Sequence, residues 1–317
     1  MPTKTIRWVL AHEPQDIFLR AAEKFADQVF QASNGELAVE ILSLSEYSEK
    51  YNNGVTVFYP DLIKYMNEGK LEMTQMYTHS LGRHSSWFRA LDLPFLFTND
   101  DHASRVLDGP IGQKILGTLQ NQPGTKNIKG LSFTYSGGFT VISTNRAIRS
   151  VEDLQGLKVR VPHSPVIQDY FEALGMDPVM MELSEIPAAL TSNKIDAAEI
   201  TYRRLYDANA QEHTDSILHS NHNVFLTSIL VNQEFWSSLD ADLQQVIEQA
   251  ALLAAQDERV DAIEDDQVHR QLCLDDGITV TDPDAEIQKQ FRDRATMIYD
   301  KYTPMFGQTF IDKIKKS

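Results

Sequence analysis

The sequence predicts an α/β fold in two lobes, each a mostly parallel or mixed sheet flanked by helices. Three observations carry that expectation. The chain has 317 residues, more than one hydrophobic core usually serves. Short β-branched runs alternate with amphipathic stretches along most of its length. Finally, Asp61–Met73 echoes Glu185–Ala197: each reads as a helix, a left-handed cap (Gly69 or Asn193), then Lys-apolar-acid opening a strand. The echo has two readings, two related lobes or a chance likeness of ordinary helix–strand units.

Thr5 to Leu10 alternates as a strand. A helix follows with Ala21, Ala22, Phe25, Ala26, Val29 and Phe30 on one face, and Asn34-Gly35 ends it. Leu37 to Leu42 is a second strand, and a strand–helix–strand unit with short joints brings parallel neighbours. Asp61 to Asn67 reads as helix and Leu71 to Met76 as strand. Leu91 to Phe97 is apolar but broken by Pro94, so it is no central strand. Ile111 to Leu119 is helical, and Gly130–Tyr135 and Phe139–Thr144 are strands on either side of a flexible Ser136-Gly137-Gly138.

In the second half, Val151 to Gly156 is a short turn or helix, and Leu157 to Val161 is a strand stopped by Pro162. Val166–Leu174 and Glu185–Thr191 read as helices, Ile195–Ile200 and Val224–Val231 as strands. Asp240 is the N-cap of a long helix in which Leu243, Val246, Ile247, Ala250 and Ala251 keep helical spacing. No Pro or Gly intervenes before Gly277, so at ~1.5 Å per residue it runs roughly 50 Å, enough to serve both lobes. A last helix covers Ala285 to about Tyr302. The expected lobes are 1–136 plus about 224–262, and 137–223 plus about 263–317, with the helix of about 240–275 shared.

Net charge is −16, from 29 basic and 45 acidic residues. That argues against nucleic acid, whose phosphates need a basic face, and favours a soluble monomer. It also means that a pocket for an anion needs a local buried cation. No segment reaches the ~18 consecutive apolar residues of a membrane span. The start has no apolar signal core, which leaves a cytoplasmic protein or a chain whose signal was removed. The single cysteine, Cys273, makes no internal disulfide and is expected to be a buried, inert thiol. His213, His219 and His222 lack an acid at a standard partner position, so no metal is expected. Catalytic and nucleotide motifs are absent: no Gly-x-Ser-x-Gly, His-Glu-x-x-His, Walker loop or Gly-x-Gly-x-x-Gly. Neither enzyme activity nor a cofactor is expected.

Arg160 is the most informative residue. It interrupts an apolar strand between Val159 and Val161, just before Pro162. Arginine is seldom buried without a partner. It is either an edge-strand residue paired with solvent or a protein acid, or a planar fork holding a ligand carboxylate with two hydrogen bonds. Ligands in open α/β sheets lie beyond the carboxyl ends of strands, which directs Gln75, Met76 and Tyr77 from one half and Glu199 from the other toward a site.

Leu93-Pro94-Phe95-Leu96-Phe97, Asp108-Gly109-Pro110-Ile111-Gly112 and Asp153-Leu154-Gln155-Gly156-Leu157-Lys158-Val159-Arg160-Val161-Pro162 carry a family resemblance. Phe171-Glu172-Ala173-Leu174-Gly175, Ile195-Asp196-Ala197-Ala198-Glu199, Ser220-Asn221-His222 and Trp236-Ser237-Ser238-Leu239 extend it over nearly the whole chain. In order and spacing these resemble the DctP-type solute-binding proteins of TRAP transporters. The resemblance implies a periplasmic-binding-protein-like fold, a cleft between lobes, a periplasmic location after signal removal, and delivery of a small organic acid to a TRAP membrane permease. It implies that Arg160 anchors a ligand carboxylate, with His12, Glu13, Tyr77, Thr140, His163, Leu183, Ile200 and His222 lining the cleft and Glu199 supporting the site or touching ligand. Some relatives that bind polar sugar acids carry a second arginine where this chain has Thr140, and many carry an asparagine where it has Ile200. The expected ligand is therefore a monocarboxylate with a compact, partly apolar body. A dicarboxylate or sugar acid stays open, with His12, His79, His163, His222 or Arg83 as the second cation. A ligand-sensing domain and a periplasmic enzyme on the same fold are the competing functions.

Overall fold

The computed structural model describes residues 4–11 and 16–317. His12 and Glu13 lie outside the described residues. The chain divides into two compact units, one of Met1–Ser85, Ser104–Ser136 and Leu226–Asp261, the other of Ser86–Ala103, Gly137–Phe225 and Ala262–Ser317. Its strands are β1 Lys4–Val9, β2 Leu37–Leu42, β3 Met73–Tyr77, β4 Ile128–Phe139, β5 Val141–Thr144, β6 Lys158–Val161, β7 Asp177–Met180, β8 Ala197–Ile200, β9 Ser216–Leu218, β10 Val224–Asn232 and β11 Thr279–Thr281.

The first unit is built on a sheet in the order β2-β1-β3-β10-β4, with β1 parallel to β2 and β3 and β10 antiparallel to β3. Helix Asp16–Ala32 buries Ile17, Phe18, Ala21, Ala22, Phe25 and Val29. Phe25 meets Trp8 of β1 edge-on, with ring centroids 4.9 Å apart. Left-handed Asn34 and Gly35 stop the helix, and the Gly35 amide donates back to the Phe30 carbonyl. Phe30 itself departs from the expected apolar face: it is 51 % exposed and folds over Gly35, where a β-carbon would lie 3.3 Å from its ring.

The second unit has a mixed sheet in the order β11-β9-β5-β8-β6-β7. β6 runs parallel to β7 and β8, whereas β5 is antiparallel to both β8 and β9. Val141, Ala198, Ile200, Ile186, Leu205 and Ile217 belong to an apolar cluster in this unit. Helix Pro165–Ala173 is capped by the Ser164 hydroxyl and buries Val166, Ile167, Tyr170 and Phe171. The two echoing segments have the same local geometry: helix Asp61–Asn67 precedes left-handed Gly69 and β3, and helix Ile186–Thr191 precedes left-handed Asn193 and β8.

Three features differ from the sequence expectation. Ser136-Gly137-Gly138 is not a break between strands but part of β4, with φ of 114° at Gly137 and 74° at Gly138. A β-carbon on Gly137 would lie 2.3 Å from the Thr201 hydroxyl, so the strand needs glycine there. Ser86–Ala103 belongs to the second unit rather than the first. Side chains hold it: Trp87 meets Phe310 edge-on, the Tyr299 hydroxyl donates to the Pro94 carbonyl, and Ser164 donates to Asp92. Short β7, β9 and β11 were not legible as strands. The long helix, Ala241–Asp275, starts on the Asp240 side chain, which accepts from the Leu243 amide, and supplies residues to both units. Cys273 is fully buried. Among the described residues no helix is long and apolar enough to cross a membrane.

Candidate functional site

Strand β6 buries Val159 and Val161 and ends at Pro162, which cannot donate to a ladder. Between them Arg160 is only 2 % exposed. Its Nε donates to the Met181 carbonyl and its Nη1 to the Glu199 carbonyl, each at 3.0 Å. Two backbone acceptors on β8 and just past β7 therefore fix the plane of the guanidinium.

The Glu199 carboxyl stands beside it, with Oε2 4.0 Å from Nη1 of Arg160. Its Oε1 is 3.8 Å from Nε2 of His222 and, among the described residues, accepts no hydrogen bond. Burial pushes the Glu199 carboxyl up to about 7, outweighing the attraction of Arg160 and a hydrogen bond from Thr140. Burial alone drives His222 down to about 3, so its imidazole is neutral at neutral pH and the contact with Glu199 is not an ion pair. The Thr140 hydroxyl lies 3.2 Å from His222 Nε2, and Ser220 shares a 2.9 Å hydrogen bond with Nδ1. Tyr170 and Phe171 enclose the ring, with centroids 5.7 and 5.4 Å away.

The structure thus brings Arg160, Glu199, Thr140 and His222 into one buried polar cluster in the second unit. It adds residues that the sequence reading missed. Asp92 accepts a 2.6 Å hydrogen bond from Ser164, and burial pushes it to about 7 as well, with Glu199 adding to the shift. Asp92 was detectable as the acid inside the apolar run Leu91–Phe97.

The other expected site residues take no part in the hydrogen bonds of that cluster. His163 is half-buried, with Nε2 3.5 Å from Oε1 of Glu182. Ile200, at the end of β8, is 1 % exposed and packs into the apolar cluster of the unit, and Leu183 packs against that cluster while keeping part of its surface. Strand alternation accounts for the separation, since neighbours Glu199 and Ile200 point to opposite faces of the sheet. Tyr77 belongs to the first unit, where it ends β3, stacks on His79 at 5.1 Å and accepts a 3.4 Å hydrogen bond from Ser136. Gln75 in the same strand is turned into the core, donating to both oxygens of Glu258 and to Thr227. His213, His219 and His222 do not form a metal cluster, and no group of three metal-binding side chains occurs among the described residues.

On two α/β units, a guanidinium fixed at a strand end by two backbone carbonyls suits the capture of an anionic solute. The comparisons agree. The model of the bacterial extracellular solute-binding proteins, family 7 (DctP), matches residues 10–304. A C4-dicarboxylate-binding periplasmic protein, DctP, of Rhodobacter capsulatus is 28 % identical over 282 residues, covering 85 % of this chain and 83 % of that one. A TRAP periplasmic solute-binding protein of a Bradyrhizobium species, solved with galacturonate, is 26 % identical, with a TM-score of 0.85 over 99 % of this chain and 100 % of the other. Another, from Shewanella oneidensis and solved with succinate, is 25 % identical, with a TM-score of 0.84 over 100 % of this chain and 99 % of the other. The chain belongs to family 7 of the bacterial extracellular solute-binding proteins.

Proposed function

We propose that this protein captures a small organic acid through Arg160 and delivers it to the membrane subunits of a TRAP transporter from the periplasm, working as a monomer and leaving its ligand chemically unchanged. The observation that carries the reading is the guanidinium of Arg160, buried near the end of β6. Two backbone carbonyls orient the guanidinium. Burial raises the neighbouring carboxyls of Glu199 and Asp92 to about 7, so each is only partly ionised at neutral pH beside the positive guanidinium. A ligand carboxylate neutralises that charge with charge-assisted hydrogen bonds in a dry environment.

The ligand is a monocarboxylate with a compact, partly apolar body. Thr140 contributes a hydroxyl and no charge, and His222, held neutral by burial, supplies no second cation at neutral pH. Leu183, His163 and Tyr77 are the further contacts we assign to the ligand. A dicarboxylate or sugar acid is the second reading, favoured by the relatives named for C4-dicarboxylates and solved with succinate or galacturonate.

Thermal unfolding against a panel of mono-, di- and sugar acids tests the proposal. An acid at ~1,000 times its dissociation constant adds about 4 kcal/mol of stability and moves the midpoint by several degrees. No shift with any acid, together with no acid released from the denatured protein by mass spectrometry, overturns it.

A further inference from the structure

We propose that Phe95 is a positioning residue for acid binding at Arg160: from the turn 93–96 it clasps His222 and fixes how that imidazole faces Thr140 and Glu199. The inference rests on the Arg160 cluster being the place where the acid binds. The turn is built against the preference of its own residues. The Leu96 amide returns to the Leu93 carbonyl at 3.3 Å, which leaves Pro94 and Phe95 at the two corners. Phe95 has a φ of 55°, a setting that the second corner of such a turn normally reserves for glycine or asparagine. A bulky aromatic residue there is an outlier, and strain of this kind persists only where the surroundings impose it.

Those surroundings are specific. The Phe95 amide donates to the His222 carbonyl at 2.6 Å. The Tyr299 hydroxyl donates to the Pro94 carbonyl, and the Arg292 guanidinium lies 4.5 Å over the Phe95 ring, so helix Ala285–Phe306 holds both the backbone and the ring of the turn. The ring meets Tyr170 edge-on at 6.4 Å, and Tyr170 in turn packs on the His222 imidazole at 5.7 Å. Phe95 therefore reaches His222 by two routes, directly through its amide and through Tyr170 by its ring. Glycine or asparagine would accept the left-handed backbone more easily, but neither carries the ring.

The imidazole needs such a hold. A neutral imidazole has one donor and one acceptor nitrogen, so its orientation decides which of the two it turns toward the cluster. Ser220 shares a 2.9 Å hydrogen bond with Nδ1, and Nε2 lies 3.8 Å from Oε1 of Glu199. The Thr140 hydroxyl stands almost equally far from both nitrogens, 3.2 Å from Nε2 and 3.4 Å from Nδ1, so Thr140 does not choose between them. With Tyr170 held by Phe95 and the His222 carbonyl tied to its amide, one arrangement is kept. The cluster then meets a ligand carboxylate already organised, which spares the ordering cost on binding.

The test compares the whole chain with Phe95→Gly, which relieves the backbone and removes the ring, and repeats the comparison in a His222→Ala background. Circular dichroism checks each fold. Two quantities are read: the ring-nitrogen NMR shifts of His222 in isotopically labelled protein, which report its tautomer and are assigned by their loss in His222→Ala, and calorimetric affinity for the acid identified in the thermal screen. Phe95→Gly is expected to turn one dominant His222 tautomer into a mixture and to weaken acid binding at least tenfold. With His222 replaced by alanine, the same change is expected to cost no more than about twofold, because Phe95 acts through that ring. Phe95→Leu keeps bulk without an aromatic face; it is expected to move the same signals the same way and replaces Phe95→Gly if that variant does not fold. The proposal is overturned if a folded variant keeps the wild-type His222 shifts, binds the acid as wild type does, or loses as much affinity without His222 as with it. If wild type binds no acid, the proposed function fails, and the nitrogen shifts alone then decide whether Phe95 positions His222.

Discussion

Replacing Arg160 by methionine separates the work this side chain does in folding from the work it does in binding. Methionine is unbranched and keeps an apolar stem but stops short of the guanidinium, and the Met181 and Glu199 carbonyls each lose a donor at 3.0 Å. A buried acceptor left without a partner costs about 1–3 kcal/mol, so the two together cost roughly 2–6 kcal/mol of stability before any relaxation. Losing the guanidinium also removes the attraction that lowers Glu199, so that carboxyl moves above its present value of about 7 and is protonated at neutral pH. The ligand term is separate. Taking away a buried charge-assisted partner typically costs about 2–5 kcal/mol of affinity, which is roughly 30-fold to several-thousand-fold in dissociation constant. Urea unfolding measures the first quantity, and isothermal titration with the acid identified in the thermal screen measures the second. A variant that remains folded and binds that acid with wild-type affinity refutes the anchor role of Arg160.

Other outcomes follow from the same geometry. Glu199 has its folded-state pKa raised from 4.5 to about 7, so it favours the folded state when protonated, and its contribution falls as pH rises from 4.5 through 7 by about 3 kcal/mol. Glu199→Gln should remove that part of the slope between pH 5 and 8, and an identical slope in mutant and wild type would count against the burial argument. His222 acts in the opposite sense, since its pKa falls from 6.5 to about 3 and its contribution is lost as pH falls through that range. Acid binding at Arg160 should weaken from pH 6 to pH 8 as Glu199 ionises and competes for the guanidinium, and affinity that holds constant or rises would contradict the charge reading. Gly137→Ala combines a φ of 114° with a β-carbon 2.3 Å from the Thr201 hydroxyl, and should cost about 2–5 kcal/mol by urea unfolding.

Regular elements were legible wherever side-chain period and caps agreed. The long helix carried its N-cap, Asp240, and an uninterrupted apolar face, and β6 announced its end with Pro162. Legibility failed where tertiary contacts decide. Nothing local to Ser86–Ala103 says that Trp87 will meet Phe310 or that Asp92 will be held by Ser164. Ser136-Gly137-Gly138 looks like a hinge loop in sequence, because glycine signals a turn and a strand pressed against another backbone equally well. Within the site, Arg160 stood out as a charge in an apolar strand. Ile200 was assigned by position, and strand alternation puts it on the face opposite Glu199. Asp92 was overlooked because its role depends on Ser164, far along the chain.

The order of strands in the first unit has a consequence for how the molecule is made. β10 lies between β3 and β4 in that sheet, yet its residues, Val224–Asn232, come long after both. Until the ribosome has added them, β3 and β4 each present an unpaired edge and the sheet cannot close. Early completion of a stable core is thereby postponed, and contacts between distant segments make the remaining search slow.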